Sequence, residues 1–399
     1  VTPAARVAAA IDILDRHLAG EAAEAALTGW ARSSRYAGSG DRAAIRDLVY
    51  DVLRRRRSYA ALGGSTTGRG LMIGHCVAQD IDTETIFTGG RFAPAVLTKA
   101  ERMPRAAPVG LTALDCPDWL APLLQAALGA DFAAVMEAQR HRAPVFLRVN
   151  ARRVSRAEAQ AALAAEGIET RCREESSFAL EVTGNARKIA QSMAYAQGLV
   201  EVQDLSSQCA VEALPPDTAA RVLDFCAGGG GKLLAMAALR HAEFTAHDID
   251  PVRMRDLAAR AERAGVQVAT APPGEAPGGQ DLVLVDAPCS GSGTWRRTPE
   301  AKWRLTPDRL AELVALQSDI LARAAVLVAP NGVLAYMTCS LLGAENEDQV
   351  ARFLAAHAGW QVAKVRRMRP IGGGDGFFLA VFMRNRHDGH TQRLQPGSD

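Results

Sequence analysis

From residue 219 onward, short apolar runs alternate with segments of helical periodicity. That alternation allows few folds, because each run is too short for a helix and too apolar for a strand with one wet face. It reads as a mostly parallel sheet with helices on both faces. Strands are expected at Val222–Phe225, Phe244–Asp248, Val266–Ala269, Leu282–Asp286, Val333–Thr338 and Trp360–Val365. Helices are expected at Lys232–Leu239, Pro251–Ala264, 308–328 and Glu345–Ala356. Pro251 suits the first position of its helix. Residues 271–280 (Ala-Pro-Pro-Gly-Glu-Ala-Pro-Gly-Gly-Gln) cannot be helical, so that crossover is short. Phe377–Phe382 would add a last, antiparallel strand. The fold class is α/β, a doubly wound Rossmann-like sheet.

Two smaller units are expected before it. Residues 3 to about 60 read as helices, with Val7, Ile11, Leu14 and Leu18, then Ile45, Leu48, Val49, Val52 and Leu53, at helical spacing. The second of these ends in Arg54-Arg55-Arg56-Arg57, read either as an RNA-contacting element or as a solvated basic helix end. Residues 62–110 give only weak helical signals, and Pro104, Pro108 and Gly110 mark a boundary. Helices at Trp119–Leu128 and Ala133–Gln139 then lead into strand Val145–Val149, helix Arg156–Ala165, strands Ile168–Cys172 and Phe178–Val182, helix Ala186–Met193 and strand Leu199–Val202. That β-α-β-β-α-β order is the ferredoxin-like split. The domains are therefore 1–110 (helical), 111–203 (ferredoxin-like α+β) and 204–386 (doubly wound), with a polar, disordered tail at 387–399.

Composition narrows the setting. No run of about 18 apolar residues occurs and the start has no signal-peptide pattern, so a cytoplasmic protein without a membrane span is expected. Seven cysteines, an odd number with no Cys-x-x-Cys pair, argue against a disulfide framework and a zinc site. The net charge is only +2, but the basic residues are almost all arginine, which suits planar contacts with phosphates and bases.

Chemistry concentrates at the expected strand ends, where ligands bind in this architecture. Asp224-Phe225-Cys226-Ala227-Gly228-Gly229-Gly230-Gly231-Lys232 joins the first strand to its helix. Such a glycine run lets backbone approach a ligand closely. A P-loop is excluded, since Leu233 stands where its Ser or Thr belongs; a dinucleotide or a nucleoside-carrying sulfonium cofactor fits. Asp248, at the end of the second strand, can accept hydrogen bonds from ribose hydroxyls, while Asp250 before Pro251 suits a helix N-cap. Asp286-Ala287-Pro288-Cys289 and Thr338-Cys339-Ser340 place two thiols past neighbouring strands. Two thiols, an acid and a cofactor loop suggest covalent catalysis. Thiolate addition to carbon 6 of a pyrimidine makes carbon 5 able to attack an electrophilic methyl, and a second thiol can assist release of the product.

These residues carry a family resemblance. Asp-x-Cys-Ala-Gly-x-Gly-Gly-Lys at 224–232, Asp248-Ile249-Asp250, Asp-Ala-Pro-Cys-Ser-Gly-Ser-Gly at 286–293, Lys302-Trp303, Thr338-Cys339-Ser340, Glu345-Asn346-Glu347 and Val202–Gln208 resemble the Sun/Fmu (RsmB-type) family of S-adenosylmethionine-dependent RNA (cytosine-5) methyltransferases. The resemblance covers about 111–386, and the first helices are similar to that group's NusB-like RNA-binding domain. It implies a monomer that methylates cytosine in RNA, most of all 16S ribosomal RNA, without metal. It implies Cys339 as nucleophile, Cys289 as the aid to product release, Asp286 on the cytosine edge and Lys232 at the catalytic centre. Cys226, Ala227, Gly228, Gly229, Gly230, Gly231, Lys232, Asp248 and Asp286 would hold S-adenosylmethionine.

Three departures stand out. Gly229 replaces a proline, which predicts a looser loop, and Leu233 replaces Thr or Ser. The acid expected after the third strand is missing from Thr270-Ala271-Pro272-Pro273-Gly274, with Glu275 the one candidate substitute, so weaker cofactor binding is expected. The alternatives are a tRNA substrate or a catalytically weak RNA-binding assembly factor. DNA cytosine-5 enzymes use the Pro-Cys thiol alone, and the second thiol argues against them. No Asn/Asp-Pro-Pro-Tyr/Phe segment occurs for amino-group methylation, and an NAD-dependent oxidoreductase leaves the cysteine pair without a role.

Overall fold

A computed structural model describes residues 1–215 and 219–384; the expected tail at 387–399 lies outside the described residues. The chain opens with α1 (Pro3–Leu18), α2 (Ala23–Ser33), α3 (Ser39–Arg54), α4 (Arg56–Gly63) and α5 (Gly68–Ala78). The Thr2 side chain accepts from Ala5 N–H to cap α1, and Pro3 occupies its first turn. Val7, Ile13 and Leu14 of α1 meet Ile45, Val49 and Val52 of α3 in one buried core. At roughly 1.5–3 kcal/mol per buried aliphatic side chain, this core is the main stabiliser of the bundle.

Helix α5 forms against its intrinsic propensity, since Gly68, Gly70 and Gly74 all weaken it. Packing outweighs that cost. A Cβ on Gly74 would lie 1.9 Å from the Tyr59 carbonyl oxygen, so α4 and α5 touch only because glycine is there. Leu71, Met72, Ile73 and Cys76 fill the resulting core.

The arginine tetrad is neither a free RNA face nor a solvated helix end. Arg54 Nε donates to the Arg296 carbonyl at 2.7 Å, and Arg55 pairs with Asp51 at 2.6 Å. Arg56 stacks 5.7 Å over the Trp303 ring, and Arg57 pairs with Asp118 at 2.8 Å. Trp303 Nε1 donates to the Leu53 carbonyl at 2.6 Å. The two Trp303 contacts fasten the helical unit to a short helix at Pro299–Arg304.

The second unit contains β1 (Val145–Val149), β2 (Glu169–Cys172), β3 (Ala179–Gly184) and β4 (Val200–Val202) in one sheet of order β2-β3-β1-β4, with every pair antiparallel. Its first helix, Arg156–Ala165, begins at a capping box between Ser155 and Glu158. The helix expected at Ala186–Met193 is instead a 3-10 turn, Ala186–Gln191, followed by one α-turn, Met193–Ala196. Ser192 divides them: its backbone is extended, and its side chain caps the second turn at Tyr195 N–H.

The third unit is a seven-stranded sheet of β5 (Arg221–Asp224), β6 (Glu243–His247), β7 (Ala269–Ala271), β8 (Gln280–Asp286), β9 (Val328–Thr338), β10 (Trp360–Met368) and β11 (Phe377–Arg384), ordered β10-β11-β9-β8-β5-β6-β7. β11 runs antiparallel to both neighbours; the other pairings are parallel. The apolar runs split by twos. Leu282 and Leu284 enter one core with Val333, Ala335 and Met337, while Val283 and Val285 enter the opposite core with Leu334 and Tyr336. β5, next to β8, sits where the strand order reverses, and this brings the ends of β5, β8 and β9 to one site.

Candidate active site

β8 and β9 are in parallel register, with Asp286 opposite Met337. Each then turns at its end, through Pro288 and Ser340, and the two thiols converge: Cys289 Sγ lies 3.4 Å from Cys339 Sγ, and both are free cysteines. A buried carboxylate holds the two turns together. Glu345, fully buried, accepts from Ser290 N–H at 2.8 Å, Ser290 Oγ at 2.5 Å, Gln317 Nε2 at 3.0 Å, and the Ser340 hydroxyl. Asn346 Nδ2 donates to the Ser340 carbonyl at 2.9 Å, and its Oδ1 accepts from Thr338 Oγ1 at 2.6 Å. With four donors on one anion, the carboxylate is satisfied although dry.

The two thiols differ in acidity. Cys339 is pushed below the ordinary thiol range, first because the Cys289 S–H donates to it and also because Lys232 is near; burial opposes this. Cys289 is pushed well above that range by the same contact and by burial. Cys339 is therefore the thiolate-prone member. Lys232 forms an ion pair with Asp286, and its Nζ lies 5.2 Å from the Phe377 ring. Burial alone would lower the Lys232 pKa, but Asp286 outweighs it and the pKa is raised, so this ammonium keeps its charge beside Cys339.

The glycine loop lies next to these groups. Gly228 (φ +49°) and Gly230 (φ +77°) need the left-handed conformation that glycine adopts without strain. Gly228 N–H donates to Asp248 Oδ2 at 2.9 Å, and Asp248 Oδ1 accepts from Asp250 N–H at 3.0 Å. Asp248, a buried carboxylate that also meets Arg253 Nη1 at 3.3 Å, thus braces the loop. Asp250 caps the turn Pro251–Met254 at Val252 N–H.

A cavity of about 350 Å³ is lined by Cys226, Ala227, Gly228, Gly229, Gly231, Lys232, Asp286 and Cys339. Gly230, Asp248 and Cys289 support this wall without lining the cavity. Two larger cavities, about 710 and 690 Å³, are lined by residues outside this group. The small one matters because the chemistry is there. Cys226 is pushed far up by burial and stays a neutral thiol.

The donor set fits S-adenosylmethionine. The helix Gly231–Leu239 starts with no side-chain cap, leaving N–H groups for a carboxylate. Asp224, 1% exposed, also lines the cavity and has Oδ1 without a partner. Burial, then Asp286, raises its pKa to about 7. An unsatisfied buried carboxyl suits a ligand ammonium group. Sequence reasoning does not single out Asp224 as a site residue, although it opens the glycine motif. Glu345 stands in a family motif, but only the folded structure gives it a role.

On the far side the missing acid is not replaced. Glu275 is exposed and does not line the cavity. Instead His247 Nδ1 bonds the Phe225 carbonyl at 2.8 Å, and Gly274 N–H meets His247 Nε2 at 3.3 Å. A neutral imidazole, donor at Nδ1 and acceptor at Nε2, satisfies both bonds. Among the described residues no group of three or more His, Cys, Asp or Glu could hold a metal, and no helix is long and apolar enough to cross a membrane.

Known proteins share this chain's sequence and fold. Residues 211–388 match the family model of the 16S rRNA methyltransferase RsmB/F, and residues 116–187 match the RsmF/B-like ferredoxin-like domain. Ribosomal RNA small subunit methyltransferase B of Xylella fastidiosa is 34% identical, over 85% of this chain and 91% of its own length. The Klebsiella pneumoniae protein of the same name is also 34% identical, over 68% of this chain; the match spans 66% of that relative's length. The crystal structure of PH0851 superposes with a TM-score of 0.77 at 23% identity, covering 96% of this chain and 99% of that one. The seven-stranded sheet has the fold of S-adenosylmethionine-dependent methyltransferases. The chain belongs to the 16S rRNA methyltransferase RsmB/F family.

Proposed function

We propose that the protein methylates carbon 5 of a cytosine in 16S ribosomal RNA, with S-adenosylmethionine as donor. The observation that carries this reading is the 3.4 Å contact between Cys339 and Cys289 beside the Lys232–Asp286 ion pair, on the wall of the glycine-loop cavity. When bound, S-adenosylmethionine supplies an electrophilic methyl group. Residues 226–232 would hold it, with Asp248 bracing the loop and Asp224, whose Oδ1 has no partner, available to its ammonium group.

Cys339, as thiolate, adds to carbon 6 of the cytosine, forming a C–S bond and giving carbon 5 the electron pair that would form its new bond to the methyl group as the methyl–sulfonium bond breaks and the neutral thioether leaves. Asp286 accepts from the exocyclic amine and orients the ring. Lys232 balances the charge of both Asp286 and the Cys339 sulfur. Carbon 5 then loses its proton to water, the C–S bond breaks and Cys339 leaves as thiolate. The Cys289 S–H, donating to that sulfur, makes it a better leaving group.

Despite the missing acid, cofactor binding is expected. Isothermal titration with S-adenosylmethionine should give saturable binding below millimolar; no heat at millimolar ligand would rule the cofactor out. The RNA partner has a candidate surface other than the engaged tetrad. Arg32, Arg35, Arg42 and Arg46 line the cavity of about 710 Å³ beside Trp30. Arg46 pairs with Glu24 and Arg42 bonds the Ala37 carbonyl; among the described residues Arg32 and Arg35 have no partner. Arg32→Gln and Arg35→Gln should each weaken RNA binding and flatten the slope of log K against log salt by about 0.9. An unchanged slope would exclude this face. Mapping 5-methylcytosine in 16S rRNA and tRNA, with and without the gene, separates the ribosomal reading from a tRNA substrate.

A further inference from the structure

Four consecutive glycines at 228–231 give the loop no side chains of its own to stiffen it. Against the looseness expected from Gly229 stand two loop carbonyls that are captured from outside. Arg260, on helix Leu257–Ala264, donates through Nη1 to the Gly229 carbonyl. The Gly231 carbonyl accepts from Arg148 Nη1 at 2.9 Å and from Gln203 Nε2 at 3.2 Å. Both arginines lead back to the four-stranded sheet. Arg148 is part of β1 itself. Arg260 Nη2 lies 3.5 Å from Glu201 of β4, which also pairs with Arg263 at 2.8 Å.

Two features separate this network from ordinary surface ion pairing. Arg148 is 6% exposed and, among the described residues, has no carboxylate in direct contact, so burial pulls its pKa down to about 10. A charge so expensive to bury needs the carbonyls it meets. In addition, Arg260 occupies the space a residue-229 side chain would need. A Cβ built on Gly229 lies 2.6 Å from Arg260 Nη1. Gly229 and Arg260 therefore form one device, in which the side chain missing from the loop makes room for the guanidinium that fixes it.

We infer that Arg260 and Arg148 are positioning residues for the cofactor loop, and that the ferredoxin-like unit is through them a structural part of the cofactor site. This rests on the reading that the glycine loop holds S-adenosylmethionine. It predicts that cofactor affinity depends on residues that never touch the cofactor.

The test uses the full chain and S-adenosylmethionine in isothermal titration, with thermal melting alongside. Arg260→Gln should raise Kd about tenfold, the scale of one charge-assisted hydrogen bond, while melting stays cooperative and near the wild-type temperature. Gly229→Ala has a backbone outside the left-handed region, so alanine is permitted there, but its methyl evicts the guanidinium. It should cost as much as Arg260→Gln. The double variant should be no worse than either single one, because both remove the same bond. Arg260→Lys, with one compact donor, should recover part of the affinity. Wild-type affinity in Arg260→Gln, or losses that multiply in the double variant, would overturn the inference. Absence of binding in the wild-type protein would instead overturn the cofactor reading beneath it.

Discussion

Cys339→Ser should reduce methyl transfer by on the order of 10⁴-fold or more, the scale seen when a covalent nucleophile is removed. A serine hydroxyl at the end of β9 keeps nearly the same shape, and the Glu345 clamp that sets the turn does not involve the sulfur. What is lost is acidity. The thiol is lowered by the Cys289 S–H and by Lys232, and neither effect brings a hydroxyl near ionisation at neutral pH. RNA and cofactor affinity should stay close to wild type, because the change affects the bond-forming step alone. Single-turnover methylation with tritiated cofactor measures the loss. Turnover within tenfold of wild type would remove Cys339 from the mechanism.

Cys289→Ala should do something different: a covalent protein–RNA adduct should build up and survive denaturing electrophoresis. Cys289 is pushed well above the ordinary thiol range and lies 3.4 Å from Cys339, so it is the member of the pair suited to donate an S–H to the other sulfur. In the proposed mechanism the same donor would stabilise Cys339 as it leaves the product. Without it, expulsion slows, and the adduct accumulates even though methylation has taken place. The sign of a second effect also follows. Loss of the S–H donor raises the Cys339 pKa, so adduct formation should move to higher pH relative to wild type. An adduct band no stronger than in wild type, at every pH, would contradict the release role. These two variants separate the thiols, since one blocks entry to the covalent state and the other blocks exit.

The central sheet is legible in the sequence because its signals are local. Leu282–Val285 and Val333–Met337 are apolar without break, and both faces of those strands are buried. Pro288 and the glycine run mark the loops that carry the site. The rest is hidden by distance in sequence or by packing. Helix α5 depends on glycines that propensity counts against it and that close approach to α4 requires. Arg54–Arg57 look like a free basic patch because their partners, Asp118, Arg296 and Trp303, lie far along the chain. Pro299–Arg304 is a short helix whose role is to receive that patch. Glu345 carries no charge partner in its own segment, and its task of joining the two cysteine turns exists only after β8 and β9 pair. The missing acid after β7 is visible in the residues themselves. His247 as the anchor of that turn is not, since its two bonds reach Phe225 and Gly274.

The assignment of attack to Cys339 can be measured most directly by trapping. RNA carrying 5-fluorocytidine at the target position cannot lose a proton from carbon 5, so the covalent state should be arrested in the wild-type protein. Protease digestion and mass spectrometry of the trapped complex then identify the modified peptide. Nucleotide mass is expected on the peptide containing Cys339, with Cys289 unmodified. Nucleotide mass on Cys289 would reverse the two roles and contradict the greater acidity of Cys339.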